Sequence, residues 1–313
     1  MNDLSLRLYR PKEGEMKLNN TNIKDTECRL QIGDVCCSLR FKDPAYCASA
    51  RAYYKGFLSE NEPDLTIDVN IVLHQEEIAL PNSILMSKIV EGNDFNFHSG
   101  LITGSLDLAK KQCTINVKNA LLCERSVRIF EQFLFQVYYT LLKQKNPDGS
   151  KNNFFIHSCA VSREGLGYLF AGPSESGKST IAKLSSDLHH TVLNDELVIV
   201  NRVNGHYMVG STPFRGDFLD NSNGRVPLYA IFLIRHGEEN IIKKISEREF
   251  AARFVREVVY SDTLLSMNRK EALLEMMDFC ADVASEVPFY ELRFLPDRSF
   301  WDSIDNLKME GGR

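Results

Sequence analysis

The run Gly172-Pro173-Ser174-Glu175-Ser176-Gly177-Lys178-Ser179, followed by Thr180, constrains this chain more than any other segment. It satisfies the spacing G-x-x-x-x-G-K-[ST], and each fixed position answers a physical need. Glycines at both ends let the backbone turn tightly enough for successive N–H groups to converge on one anion. A helix starting near Gly177 would point its positive end at the same place. Lys178 supplies a mobile charge for the terminal phosphates of a nucleoside triphosphate, and the Ser179 hydroxyl supplies a ligand for Mg²⁺. Ser174, Glu175, Ser176 and Thr180 complete the loop. The flanks agree: Tyr168-Leu169-Phe170 reads as an incoming strand, and Ile181, Leu184 and Leu188 form the apolar stripe of an outgoing helix. The competing reading is a fortuitous Gly/Ser turn at a helix start.

A metal-bound triphosphate also needs a carboxylate. Asp195 ends the next apolar strand, 17 residues past Lys178, and the intervening helix should return that strand end to the loop. Glu196 points the other way in an extended chain. Asp195 is therefore favoured for the metal or the reacting phosphate, with Glu196 auxiliary. His157 lies fifteen residues before the loop, on the first strand of a hairpin, Phe154–Ser162 and Gly167–Ala171, whose strands should be antiparallel neighbours. A lone strand histidine is as readily a packed side chain as a functional one.

Together, Phe154-Phe155-Ile156-His157-Ser158, the hairpin, Gly172–Thr180 and Leu193-Asn194-Asp195-Glu196 resemble the catalytic domain of HPr kinase/phosphorylase. More distantly they resemble ATP-dependent phosphoenolpyruvate carboxykinase. The resemblance spans roughly residues 150–235. It implies an α/β (α+β) chain whose P-loop domain has a mixed sheet, with Lys178 and Ser179 in their usual roles. Through it, Asp195 matches the first of the family's paired aspartates, which serve metal binding and activation of the substrate hydroxyl. Glu196 stands where the second would be, and His157 matches an active-site histidine. The segment Gly210–Asp217 sits where the family has a second active-site loop with an acid. This makes Asp217 a candidate metal contact and Arg215 a phosphate clamp, each otherwise an ordinary surface charge. Residues 1–145 do not look like the amino-terminal domain of the HPr kinases. The pattern is closer to stand-alone HPr-kinase-related proteins, often found with peptide-modification genes.

What the resemblance implies is an ATP- and Mg²⁺-dependent phosphotransferase passing the γ-phosphate to a hydroxyl, with a serine of a peptide or protein favoured over HPr itself. Catalysis would rest on Asp195, His157 and Lys178. The alternatives are a nucleotide-responsive peptide- or protein-binding module without turnover, and a small-molecule kinase with a basic pocket around Arg215.

The 313 residues leave room for two domains. The polar run Lys145–Asn153, containing Pro147 and Gly149, is the best boundary. It divides residues 1–146, an α+β accessory or substrate-recognition domain, from residues 147–313. In the first half, strands are expected at Cys28–Ile32, Val35–Phe41, Leu65–Leu73, Asp94–Ser99, Leu101–Asp107 and Cys113–Val117, the last three as a meander. Helices are expected over Pro44–Phe57, capped by Asp43, and over Glu124–Gln144. In the second half, strands are expected at Val192–Asn194, Leu197–Asn201, Tyr229–Ile234 and Val287–Phe294. The mixed run from Lys243 to Glu257 reads as a solvated helix face, Arg235 as a strand-end charge in solvent ahead of a nucleotide contact, and Trp301 as packing ahead of a stack on adenine.

Lys plus Arg total 37 against 42 Asp plus Glu, a formal charge of −5, which lacks the basic surplus of a general nucleic-acid binder. The eight cysteines form no C-x-x-C pair and are expected to be reduced and buried. The start MNDLSLRLYRPKEGE has no apolar run of signal length, and the longest apolar stretch, Phe133–Leu142, falls short of the ~20 residues of a membrane span. A cytoplasmic protein with neither nucleic acid nor membrane as partner is the expectation.

Overall fold

The computed structural model describes residues 26–73, 87–91, 94–98, 102–119, 124–144, 153–214, 216–218, 223–261 and 269–307. Contacts divide the chain into two units, Met1–Leu141 with Thr263–Leu265 and Leu142–Asp262 with Ser266–Arg313. Among the described residues no helix is long and apolar enough to cross a membrane.

The first unit is built on a seven-stranded sheet in the order β1-β2-β3-β7-β6-β5-β4. β1 (Glu27–Ile32) and β2 (Val35–Phe41) form a hairpin. α1 (Pro44–Tyr53) then carries the chain over to β3 (Leu65–Leu73), which pairs parallel with β2. Asp43 caps α1 by accepting the Ala45 amide at 2.8 Å, but the helix stops at Tyr53 and the expected last turn, Lys55–Phe57, is a 3-10 turn. β5 (Asp94–His98), β6 (Ile102–Asp107) and β7 (Gln112–Asn119) run antiparallel in sequence as the expected meander, and β4 (Ser87–Glu91), which was not anticipated, extends it. β7 then pairs parallel with β3, which makes the sheet mixed. α2 (Glu124–Gln144) follows, and its Tyr138, fully buried, donates its hydroxyl hydrogen to the Leu30 carbonyl at 2.7 Å. The seven described cysteines are all free and buried; Cys123, like Ser99 and Leu101, lies outside the described residues.

The second unit has a nine-stranded sheet organised by two long strands, β8 (Asn153–Arg163) and β13 (Arg225–His236). The first half of β8 pairs antiparallel with β11 (Leu197–Val203) and β15 (Val258–Val259). Its second half pairs with β9 (Leu166–Ala171) and β10 (Thr191–Asn194). β13 pairs antiparallel with β12 (His206–Gly210), then parallel with β9 and β16 (Phe289–Phe294), and β14 (Ile241–Lys243) closes the edge. Both unit sheets are mixed, as the sequence led one to expect of the second.

Strand alternation sends one set of side chains to each face. Cys159, Phe170, Phe232 and Leu292 pack against α3 (Lys178–Ser186) and α6 (Phe300–Asp305). Ile156, Leu169, Ile231 and Leu233 pack against α4 (Glu247–Phe254) and α5 (Arg269–Glu286). Trp301 is core, its indole N–H bonded to the buried Ser185 hydroxyl at 3.0 Å. Two expectations fail here. Helix α5 was not anticipated, and only Glu247–Phe254 of the charged run is helical. Glu257 beyond it is buried, because the chain turns there to add β15 to the sheet.

Candidate active site

β8 changes partners at one point, and the candidate residues gather there. His157 is the register partner of Leu197, the residue after Glu196, whereas Ser158 is the partner of Ala171, the residue before the glycine loop. One peptide of β8 thus abuts both the loop and the acidic pair. The Ser158 amide donates to the Glu196 carbonyl at 3.2 Å and the His157 amide to the Glu257 carbonyl at 2.8 Å.

The loop lies across the ends of β13 and β16, and its glycines are required by contact. A Cβ on Gly172 would stand 2.7 Å from Ser176 Oγ and 3.0 Å from the Ile234 carbonyl. Gly177 has φ 105°, and a Cβ there would meet the Phe294 ring at 2.4 Å. Glu175 is left-handed at φ 65°, its carbonyl held by His236 Nε2 at 2.8 Å, while the Ser176 amide closes a turn on the Pro173 carbonyl at 3.1 Å. Pro173, Ser174 and Glu175 are exposed, and Ser179 and Thr180 are half-buried in the first turn of α3, which has no side-chain cap. Ser176 is buried, and its hydroxyl has no hydrogen-bond partner among the described residues.

Lys178 is buried and donates to the loop's own carbonyls, Gly172 at 2.8 Å and Pro173 at 3.1 Å. Burial holds its ammonium below the ordinary lysine value, against the opposing pull of the Glu257, Glu196 and Asp195 carboxylates.

Asp195 is 1% exposed. One carboxylate oxygen accepts the Gly216 amide at 3.0 Å and the other the Phe218 amide at 3.1 Å. Asp217, between them, is exposed, so this segment meets Asp195 through its backbone. Arg215 lies outside the described residues. Asn194 makes the arrangement: its amide donates to the Thr212 and Phe214 carbonyls, and its oxygen accepts the Glu196 and Leu197 amides at 2.7 and 3.0 Å. Asp195 is thereby turned inward and Glu196 outward.

The structure brings His157 to Glu196 and Glu257 rather than to the Asp195 carboxylate. Nε2 lies 3.6 Å from Glu196 and Nδ1 3.3 Å from Glu257. The pairing with Glu196, then with Glu257, outweighs burial and the Lys178 charge and raises the imidazole to about 9. His157 is a cation at neutral pH. Sequence reasoning missed four contributors. Asn194 and Gly216 sat inside segments already singled out. Glu257 was hidden in a mixed-charge run, and His236 followed a strand with nothing to distinguish it.

Among the described residues no three His, Cys, Asp or Glu side chains converge in metal-binding geometry. The donor set still fits a bound nucleotide. A buried, unpartnered hydroxyl and two glycines at van der Waals limits frame the start of a helix, which suits phosphate oxygens. Ser179 and Asp195 offer the hard oxygen ligands that Mg²⁺ takes together with water and phosphate.

Among solved structures, the Hpr(Ser) kinase/phosphatase from Coxiella burnetii is similar at 11% identity, over 42% of this chain and 98% of that one, with a TM-score of 0.24. No curated protein sequence matches the chain. The family model described as SynChlorMet cassette protein ScmC matches residues 119–309, more than half of the chain, which therefore belongs to the ScmC family.

Proposed function

We propose that this protein is an ATP- and Mg²⁺-dependent phosphotransferase that moves a γ-phosphoryl group to a hydroxyl, with a serine of a peptide or protein as the acceptor class. The observation that carries the reading is the glycine loop with its orphaned Ser176 hydroxyl, opening at the strand junction that holds His157 and Asp195. When bound, the triphosphate and Mg²⁺ supply the phosphoryl group and neutralise the charge that builds on it.

The chain's own residues do the rest. The amides of the first turn of α3 and the Ser176 hydroxyl hold phosphate oxygens. Lys178 exchanges two neutral carbonyls for an anion, which strengthens its hydrogen bonds and offsets the cost of its burial. His157, charged below about pH 9, adds a fixed cation beside the loop and is not a base at neutral pH. Glu196 and Glu257 keep it charged and oriented. Ser179 and Asp195 would hold the metal, and a carboxylate oxygen of Asp195 accepts the proton of the attacking hydroxyl. Asp217 offers a further carboxylate on the segment that caps Asp195.

The test is incubation with γ-labelled ATP, Mg²⁺ and candidate peptides or extract, beside Lys178→Ala and Asp195→Asn. Transfer by the parent protein, lost in both variants, is expected. One observation favours a second reading, a nucleotide-responsive binding module: both Asp195 oxygens are engaged by amides and the carboxylate is almost fully buried. Tight ATP binding without transfer to any candidate would select it.

A further inference from the structure

On the face of the second sheet opposite α3, three arginines from three elements meet one carboxylate. Glu291 of β16 is 5% exposed. Arg235 Nη2 of β13 lies 2.9 Å from it, Arg253 Nη1 of α4 2.7 Å, and Arg293 Nε of β16 3.1 Å. Burial pushes the Glu291 carboxyl up, but the Arg253 and Arg293 hydrogen bonds outweigh it and hold the group below the usual carboxylate range.

Glu291 brings one negative charge against three guanidiniums. Arg253 is shared with Glu249 at 3.1 Å; even so, positive charge is in surplus, and the exposed Lys243 stands opposite Glu291 in the β14–β16 register. Each guanidinium carries five N–H donors. The nitrogens nearest the carboxylate, one from each arginine, are a small part of these fifteen donors. The side chains of Arg235 and Arg293 are 50% and 40% exposed, so their other donors are open to a ligand.

The position matters as much as the charge. Arg235 lies between Ile234, whose carbonyl is 3.0 Å from where a Cβ on Gly172 would stand, and His236, which holds the Glu175 carbonyl. It therefore stands at the carboxyl ends of the parallel strands β9, β13 and β16, where open α/β sheets bind their ligands.

We propose that Arg235, Arg253 and Arg293 form a binding site for an oxyanion, phosphoryl or carboxylate, carried by the acceptor substrate. As the acceptor's seat this rests on the phosphotransfer reading; as an anion site it stands without it. Planar guanidiniums held in a fixed fork match both oxyanions bidentately.

The experiment titrates inorganic phosphate, by calorimetry, into Lys178→Ala protein, which weakens the loop as a competing site. Adding Arg235→Gln or, separately, Arg293→Gln is expected to weaken phosphate binding at least tenfold, with melting curves confirming the fold. Succinate in place of phosphate separates the two sources: displacement of phosphate by succinate points to a carboxylate, and its failure to displace points to a phosphoryl group. No phosphate binding to Lys178→Ala protein, or affinity unchanged within twofold in both double variants, overturns the site. In the otherwise parent chain, Arg235→Gln is expected to leave ATP affinity within twofold. Loss of ATP binding there would place the arginines in the nucleotide site and overturn the proposal. Absence of label transfer with the phosphate result intact would sink the phosphotransfer reading alone.

Discussion

The Asp195 carboxylate and the Gly216 backbone amide meet at 3.0 Å, so closely that a Cβ on residue 216 would stand 3.0–3.1 Å from both carboxylate oxygens. The glycine is what lets main chain, rather than side chain, cap the acid. Gly216→Ala should therefore push the two groups apart and cost about 1–3 kcal/mol, the scale for disturbing a hydrogen bond to a buried charged group. ATP binding should persist while label transfer falls at least tenfold. Denaturant melts and transfer assays on the same preparation check both; unchanged transfer would remove Asp195 from the chemistry.

Ser176 offers an unusual sign. Its buried hydroxyl is unsatisfied, and such a group costs about 1–3 kcal/mol, so Ser176→Ala should leave the ligand-free protein as stable or more stable. Affinity for ATP should nonetheless drop. A variant less stable and equally tight for ATP would mean that the hydroxyl is satisfied within the protein.

Gly177 is constrained twice, by φ 105° and by the Phe294 ring. Gly177→Ala is expected to lower stability by about 1–3 kcal/mol through backbone strain and to abolish measurable nucleotide binding. Near-parental ATP affinity, read by calorimetry, would show that the loop reshapes without harm.

His157 makes a pH prediction. Its folded value of about 9 lies above the ordinary 6.5, so the pairing with Glu196 and Glu257 contributes fully below pH 6.5 and is lost as pH rises from there through 9. The stability difference between parent and His157→Gln should shrink across that window. By NMR, the imidazole midpoint should fall toward 6.5 in Glu196→Gln and Glu257→Gln. A parent midpoint already near 6.5 would refute the pairing.

Replacing Lys178 with methionine removes an ammonium that burial disfavours, so the melting temperature should move by only a few degrees. ATP affinity should fall on the order of 10–100-fold, the few kcal/mol of charge-assisted hydrogen bonds to phosphate. Large destabilisation with retained affinity would instead make Lys178 a structural strut for the Gly172 and Pro173 carbonyls.

What the sequence disclosed and what it withheld follow from the range of the interactions. The glycine loop, its strand and its helix are local, and the hairpin before them is closed by a four-residue turn; all were legible. The opposite orientations of Asp195 and Glu196 were expected from strand alternation, but the pair lies in the bend between β10 and β11, where the Asn194 side chain sets them. The parallel pairing of β3 with β7 joins Thr66 to Gln112, and no local pattern encodes a partner so distant. Helix α5 was obscured because apolar residues occupy both sides of it: Phe279, Cys280 and Val283 are buried while Leu273, Leu274 and Met277 are exposed. Glu257 belongs to the same class. Its role depends on a two-residue strand a hundred positions from His157, and the charges that precede it, Glu247, Arg248, Glu249 and Arg256, are exposed.

Helix α4 ends between two charge centres. Arg253, in its last turn, reaches into the arginine cluster, and Glu257, four residues on, grips His157 through both its carbonyl and its carboxylate. One short piece of chain is thus anchored at both places, like a rod with a hook at each end. Any shift of that segment on anion binding at Arg253 is felt as a change in the environment of the imidazolium. Thermodynamic reciprocity then requires the charge state of His157 to alter anion affinity by the same factor.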